Sequence, residues 1–218
     1  MKNRIVLLGP PASGKGTQAA LLSATFGIPA TSTGAMLREE KTRGSAVGVE
    51  ADRWTSQGNL VPDELALRIV WSWIDGRNRF ILDGFPRTVG QATSFDQGLE
   101  ERNLPLDAVY FLNLPDAVVQ ERMTSRLTCE KCGAVFNEKF HGLTGGASCP
   151  QCGGTLGRRS DDTYEALAHR LSVYRELTIP VADHYRAKGL LQEIDVRPDR
   201  EVVFKTLYSD MIEEEVAA

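Results

Sequence analysis

Lys15 is the residue whose setting in this chain most directly specifies chemistry. It closes Gly9-Pro10-Pro11-Ala12-Ser13-Gly14-Lys15-Gly16-Thr17, which fits G-x4-G-K and follows the apolar run Ile5 to Leu8. A glycine-rich loop between a strand and a helix can wrap backbone N–H groups around phosphate oxygens, while the lysine ammonium reaches the outer phosphates. Gly16 stands where the common pattern has a Ser or Thr ligand for magnesium, which leaves Thr17 as the nearby hydroxyl. Further along, Phe80-Ile81-Leu82 ends in Asp83, and Gly84-Phe85-Pro86-Arg87 reads as a rigid turn. Ligands of open α/β sheets bind at the carboxyl ends of strands, so Asp83 can face magnesium and its waters, with Arg87 on the same crevice. These residues together read as a nucleoside triphosphate site with an extra arginine.

A second chemistry is written in the cysteines. Cys129-Glu130-Lys131-Cys132-Gly133 and Cys149-Pro150-Gln151-Cys152-Gly153 are two C-x2-C-G knuckles sixteen residues apart. That spacing predicts a tetrahedral zinc site, with a glycine allowing the tight turn behind each pair. Two disulfides or free thiols are the competing readings, and a reducing compartment disfavours the first. With four thiolates as ligands no position is open for a substrate water, so the zinc is expected to be structural. His141 lies between the pairs; His169 and His184 fall in helical patterns and read as packing or surface residues.

Positioning these groups requires an α/β core. Strands are expected at Arg4 to Leu8, Phe80 to Leu82, Val109 to Leu112 and Leu190 to Ile194, alternating with helical patterns at 14–26, 62–75, 88–103, 115–127 and 163–188. Such alternation predicts a parallel sheet covered by helices on both faces. Pro180 should kink or divide the last of these helices, and Pro198 should start a C-terminal helix in its first turn. Two stretches interrupt the pattern. Residues 32–61 read as short helices without a strand, entered through a Thr31-Ser32-Thr33-Gly34 turn, and 125–162 hold the cysteines with few large apolar side chains. The expected division is a core of 1–31, 62–124 and 163–218, a helical insertion at 32–61 and a lid at 125–162.

Composition bounds the function classes. Of 218 residues, 42% are hydrophobic and 25% charged, as in folded globular proteins. Lys and Arg total 25 against 29 Asp and Glu, a net charge of -4 without the global basic field that drives nonspecific nucleic-acid binding. The apolar run near the N-terminus is shorter than a signal-peptide core and no segment approaches membrane-spanning length, so the expected compartment is the cytoplasm.

GPPASGKGTQ, STGAMLR at 32–38, GNLVPDEL at 58–65, LDGFPRT at 82–88 with Gln91, and SDD at 160–162 before Arg170 occur in one order along nearly the whole chain. In these motifs the chain resembles the adenylate kinases. The resemblance implies reversible phosphoryl transfer from MgATP to AMP giving two ADP, by a monomer whose two insertions close over the crevice. It further implies an ATP site at Pro11, Ala12, Ser13, Gly14, Lys15, Gly16 and Thr17 with Arg126, Val135, Phe136 and Arg197. An AMP site is implied at Thr33, Arg38, Asn59, Leu60, Val61, Gly84, Phe85, Pro86, Arg87 and Gln91, the glutamine reading the adenine edge. Arg122, Arg126, Arg159 and Arg170 match the family's arginines that converge on phosphates. Planar guanidinium groups suit that task because they bind phosphate oxygens bidentately and offset the repulsion between two nucleotides. The chain departs from the family at Ala12 in place of a loop glycine, at Ala35 where TGDMLR is usual, and in an IDVRP stretch at 194–198 that is one residue short, at Arg197.

Two other functions share parts of this sequence. A kinase for UMP, CMP or GMP would use the same phosphate chemistry with different base contacts; Gln91 and Thr33 favour adenine. A phosphate-loop ATPase carrying a zinc-ribbon nucleic-acid module would need a basic patch. Between Cys129 and Asp162, however, Lys131, Lys139, Arg158 and Arg159 are balanced by Glu130, Glu138, Asp161 and Asp162.

Overall fold

The structure, a computed structural model, describes residues 1–158 and 164–213. In chain order the elements are β1 (Arg4–Leu8), α1 (Lys15–Phe26), β2 (Ala30–Ser32), α2 (Thr33–Thr42), α3 (Ala46–Thr55), α4 (Asp63–Ile74), β3 (Phe80–Asp83), α5 (Val89–Glu101), β4 (Ala108–Asn113) and α6 (Asp116–Thr124). An excursion through β5 (Arg126–Cys129), β6 (Val135–Asn137), α7 (Glu138–His141) and β7 (Leu156–Gly157) follows. The chain returns as α8 (Tyr164–Val173), a π-helical turn (Tyr174–Thr178), α9 (Ile179–Ala187), β8 (Leu191–Asp195) and α10 (Arg200–Ile212).

Five parallel strands form one sheet in the order β2-β3-β1-β4-β8. β1 is apolar throughout because both of its faces are covered: Val6 and Leu8 join one buried cluster with Phe80, Leu82 and Phe95, while Ile5 and Leu7 join another with Leu22, Ile81 and Tyr110. Register then aligns the strand ends. Leu7 pairs with Asp83, so the acidic residue at the end of β3 sits beside the start of the phosphate loop. Gly9 is required where that loop leaves the sheet: its φ is +142°, and an added Cβ would lie 2.5 Å from the Leu112 carbonyl oxygen.

The structure corrects three local expectations and bears out a fourth. Ala30–Ser32 is the edge strand of the sheet rather than the start of a turn. Two hydroxyl residues hid it, and Ser32 also caps α2 by accepting the Ala35 N–H at 3.0 Å. The pattern at 115–127 overruns, because α6 ends at Thr124 and Arg126–Cys129 pair as β5 with Val135–Asn137. As Pro180 led one to expect, the long helix divides just before it, at the π turn, where the Ile179 N–H reaches Tyr174 O. A proline lacks the N–H and crowds the carbonyl four residues back, so the ladder widens ahead of it. Finally, Pro198 precedes the N-cap Asp199 instead of opening α10.

β6, β5 and β7 form a separate antiparallel sheet around a small buried cluster of Leu127, Cys129, Cys149 and Leu156. Among the described residues, no helix is long and apolar enough to cross a membrane.

Candidate active site

α1 begins at Lys15 with Gly14 as its N-cap at φ +91° and no side-chain cap, so its first N–H groups face the loop. An anion there would be held by those N–H groups and the helix dipole. The Lys15 ammonium curls back over the loop, donating to Gly9 O at 2.9 Å, Pro10 O at 2.8 Å and Ser13 Oγ at 3.4 Å. Ser13 is buried, and Ala12 takes a left-handed φ of +57°, the conformation that the usual glycine adopts freely. Pro11 and Thr17 are half-buried and Gly16 is exposed; a Cβ on Gly16 would lie 3.2 Å from Asp83 Oδ2. Asp83 thus lies against the first turn of α1, beside the phosphate loop.

Positive charge converges on this point. Burial pushes the Lys15 ammonium down to about 8; Arg87, Arg126 and Arg170 add to the fall and Asp83 opposes it. Burial likewise lowers Arg87, whose guanidinium also feels Arg170, Arg38 and Asp83. Phosphates would favour the charged lysine. In the free protein Lys15 sheds its proton as pH rises through about 8, so ATP binding above that pH must take a proton up and its affinity must fall. Calorimetric titrations of ATP in paired buffers at about pH 7 and about pH 9 should show greater proton uptake at the higher pH. Equal uptake at both would contradict it.

Facing the loop, the Gly84–Arg87 turn is braced on all sides. Phe85 is fully buried edge-on to Phe95 at 5.1 Å, and Gly84 has φ +68°. The Phe85-Pro86 bond is cis. Arg87 Nε donates to Gly84 O at 2.8 Å, its N–H donates to Gln91 Oε1 at 2.8 Å, and its carbonyl accepts the buried Thr178 hydroxyl at 3.0 Å. The π turn brings Thr178 there. Thr33 donates to Gly84 O at 3.3 Å, and Arg38 lies against Gly34. Val61 is buried, Leu60 half-buried, and Asn59 Oδ1 meets His169 Nε2 at 2.7 Å beside Arg170.

Among the described residues, the other expected ones lie on α6, on β6 and in the 194–198 stretch. Arg122 donates to Val196 O at 3.0 Å and lies 5.9 Å from the Phe140 ring, toward the 194–198 stretch. Arg197 is bound by Asp195 (Nη2 to Oδ2 2.6 Å), and that guanidinium holds the Asp195 carboxyl down to about 2. Val135 is 46% exposed on β6, and Phe136 packs edge-on to His141 at 5.6 Å. Arg159 lies outside the described residues. Sequence reasoning missed Thr178, Asp63 and Thr88. Thr88-x-x-Gln91 is a capping-box spacing, a signal that Gln91 would be bonded back to the chain.

The four sulfurs lie within 4.8 Å of one another, with Cys129 and Cys152 3.5 Å apart and Cys132 and Cys149 3.8 Å apart. Zn–S bonds of about 2.3 Å would set tetrahedral sulfurs about 3.8 Å apart, so the cluster fits that ion. The knuckles are equivalent turns: the Gly133 N–H reaches Cys129 O and the Gly153 N–H reaches Cys149 O, each at 2.9 Å, with φ of +72° and +71°. The Cys132 N–H, with that of Lys131, holds the Cys129 thiol down to about 6. Behind it, a Cβ on Gly154 would lie 3.0 Å from Cys129 Sγ. His141 is turned to Asn137.

A parallel sheet whose first strand runs into a glycine-rich lysine loop and the N-terminus of α1, with Arg87 and Asp83 beside it, is the architecture of phosphate-loop kinases. The family model for Adenylate kinase matches residues 7–190. Proteins named "Adenylate kinase" are similar over most of their length: 42% identity in Archaeoglobus fulgidus over 93% of this chain and 95% of that one, 42% in Desulfitobacterium hafniense over 95% and 97%, and 44% in Moorella thermoacetica over 88% and 90%. The chain belongs to the adenylate kinase family and is a phosphotransferase.

Proposed function

We propose that the chain transfers the terminal phosphoryl group of MgATP to AMP, reversibly, giving two ADP. The observation that carries this reading is the convergence of Lys15, Arg87, Arg126 and Arg170 with Asp83 between the phosphate loop and the Gly84–Arg87 turn. Gly14 to Thr17 and the α1 N-terminus hold the ATP phosphates. Thr33, Arg38, Asn59 to Val61, Gly84 to Arg87 and Gln91 hold AMP. Arg126, Arg170 and Arg159 close on the phosphates between them. A phosphate monoester, with a second pKa of about 6, is largely dianionic at neutral pH and needs no general base. Its oxygen attacks the terminal phosphorus as the bond to the ADP oxygen breaks, and the protein contributes orientation and charge. Magnesium held beside Asp83 and Thr17 would neutralise phosphate charge. Zinc on Cys129, Cys132, Cys149 and Cys152 would be structural, and closure of both insertions would exclude water, the competing acceptor. The same reading has it act as a monomer in the cytoplasm, where four unpaired thiols persist.

ADP formation from ATP with AMP, GMP, CMP or UMP tests the reading. AMP is expected to give by far the largest kcat/KM, and a higher value with any other monophosphate would overturn it.

A further inference from the structure

The Gln91 carboxamide is held from two sides. Its Oε1 accepts the Arg87 N–H at 2.8 Å and its Nε2 donates to Asp63 Oδ1 at 2.8 Å, in a side chain only 2% exposed. Asp63 Oδ2 accepts the Thr88 hydroxyl at 2.8 Å, whose oxygen accepts the Gln91 N–H at 3.0 Å. A backbone N–H can only donate and an ionised carboxylate can only accept. The network therefore has one solution, with oxygen toward Arg87 and nitrogen toward Asp63. Without these partners an amide can turn over, exchanging donor and acceptor at almost no change in shape.

Resting on the AMP reading above, we propose that Asp63 is a specificity-determining positioning residue, which fixes the polarity of the Gln91 amide and thereby the base accepted. After these bonds the amide retains one N–H and one oxygen lone pair. On its Watson–Crick edge adenine offers an amino donor beside a ring-nitrogen acceptor, whereas guanine carries a carbonyl acceptor beside a ring N–H donor at the same two places. An amide of fixed polarity satisfies adenine and sets acceptor against acceptor with guanine, leaving buried polar atoms unpaired. An amide free to turn over would serve either base. Asp63 itself touches no nucleotide. The other half of the lock is the Arg87 N–H, so the base-reading amide and the proposed phosphate-binding guanidinium share one peptide.

The test is kcat/KM for AMP and for GMP at saturating ATP, with the KM for ATP, in wild type, Asp63→Ala and Asp63→Asn. Asp63→Ala is expected to lower the AMP to GMP ratio by about tenfold or more while the KM for ATP stays within about twofold. Asp63→Asn keeps the volume but can turn an N–H toward Gln91, so its ratio should fall at least about threefold. It serves as the measurement if the alanine variant does not fold. A ratio within about twofold of wild type in the folded variant overturns the proposal, as does a parallel loss for AMP, GMP and ATP, which merely structural damage would give. Failure of the AMP reading is a separate result: it would appear in the wild type, as preference for another monophosphate.

Discussion

Lys15→Met should abolish most phosphoryl transfer while leaving the protein as stable as before or slightly more so. The ammonium is buried against Arg87, Arg126 and Arg170, and its lowered pKa means that the folded protein bears a cost for holding that charge. The free-state bonds to Gly9 O and Pro10 O at 2.9 and 2.8 Å are ones that water can replace. Methionine of similar length removes the repulsion without opening a cavity. The transition state loses its cation, and comparable losses of a charge-stabilising donor cost about 10²–10³-fold in kcat. Arg87→Ala should cost a similar factor, because its backbone stays clamped by Gln91 and Thr178 when the guanidinium is gone. Turnover within tenfold of wild type at saturating nucleotides, in either variant, would remove that residue from the proposed machinery. A large fall in melting temperature for Lys15→Met would instead show that the ammonium holds the loop together.

Metal removal should loosen one part of the molecule and spare the other. The described part of the excursion buries only Leu127 and Leu156 as large aliphatic side chains, and Cys129 and Cys149 complete its cluster. Two leucines supply about 2–3 kcal/mol each, far below the ordering cost of about 1 kcal/mol or more per residue over such a segment. Structural zinc in comparable four-ligand sites contributes about 10–16 kcal/mol. Chelation, or Cys132→Ser with Cys149→Ser, should therefore raise hydrogen exchange across β5, β6 and β7, while β1, β3 and β4 stay protected by their two-sided core. Some activity should survive at low temperature, since no cysteine is assigned to phosphate. Native protection of the three small strands in metal-free protein would refute the structural role, as would metal analysis finding neither zinc nor a substitute in protein purified without chelator.

How much of this was legible in advance differs between parts of the molecule. The strand, loop and helix around Lys15 were readable because their signals are local: an apolar run, glycines where φ must be positive, and a lysine at fixed spacing. The cysteine knuckles were readable for the same reason. β2 was not, since an edge strand of Ala30, Thr31 and Ser32 has too little apolar character to announce itself and exists by pairing with β3. β5 is not legible either, because its partners lie further along the chain at Val135–Asn137 and Leu156–Gly157.

What the sequence determined by itself is therefore the chemistry available: which residues can hold phosphate, which can hold a tetrahedral metal, and the alternating order that makes a parallel sheet. The tertiary structure decided how those groups face one another. It set Asp83 beside the phosphate loop through the pairing of Leu7 with β3, and drew Arg126 and Arg170 toward Lys15 while tying Arg122 to Val196. It also bound the Gln91 amide between Asp63 and the Arg87 N–H, a restraint that joins α4, α5 and the turn after β3. The physical reason is range: turn geometry and periodicity act over a few residues, whereas hydrogen-bond direction and the summed field of buried charges depend on distances that exist only once distant segments have packed.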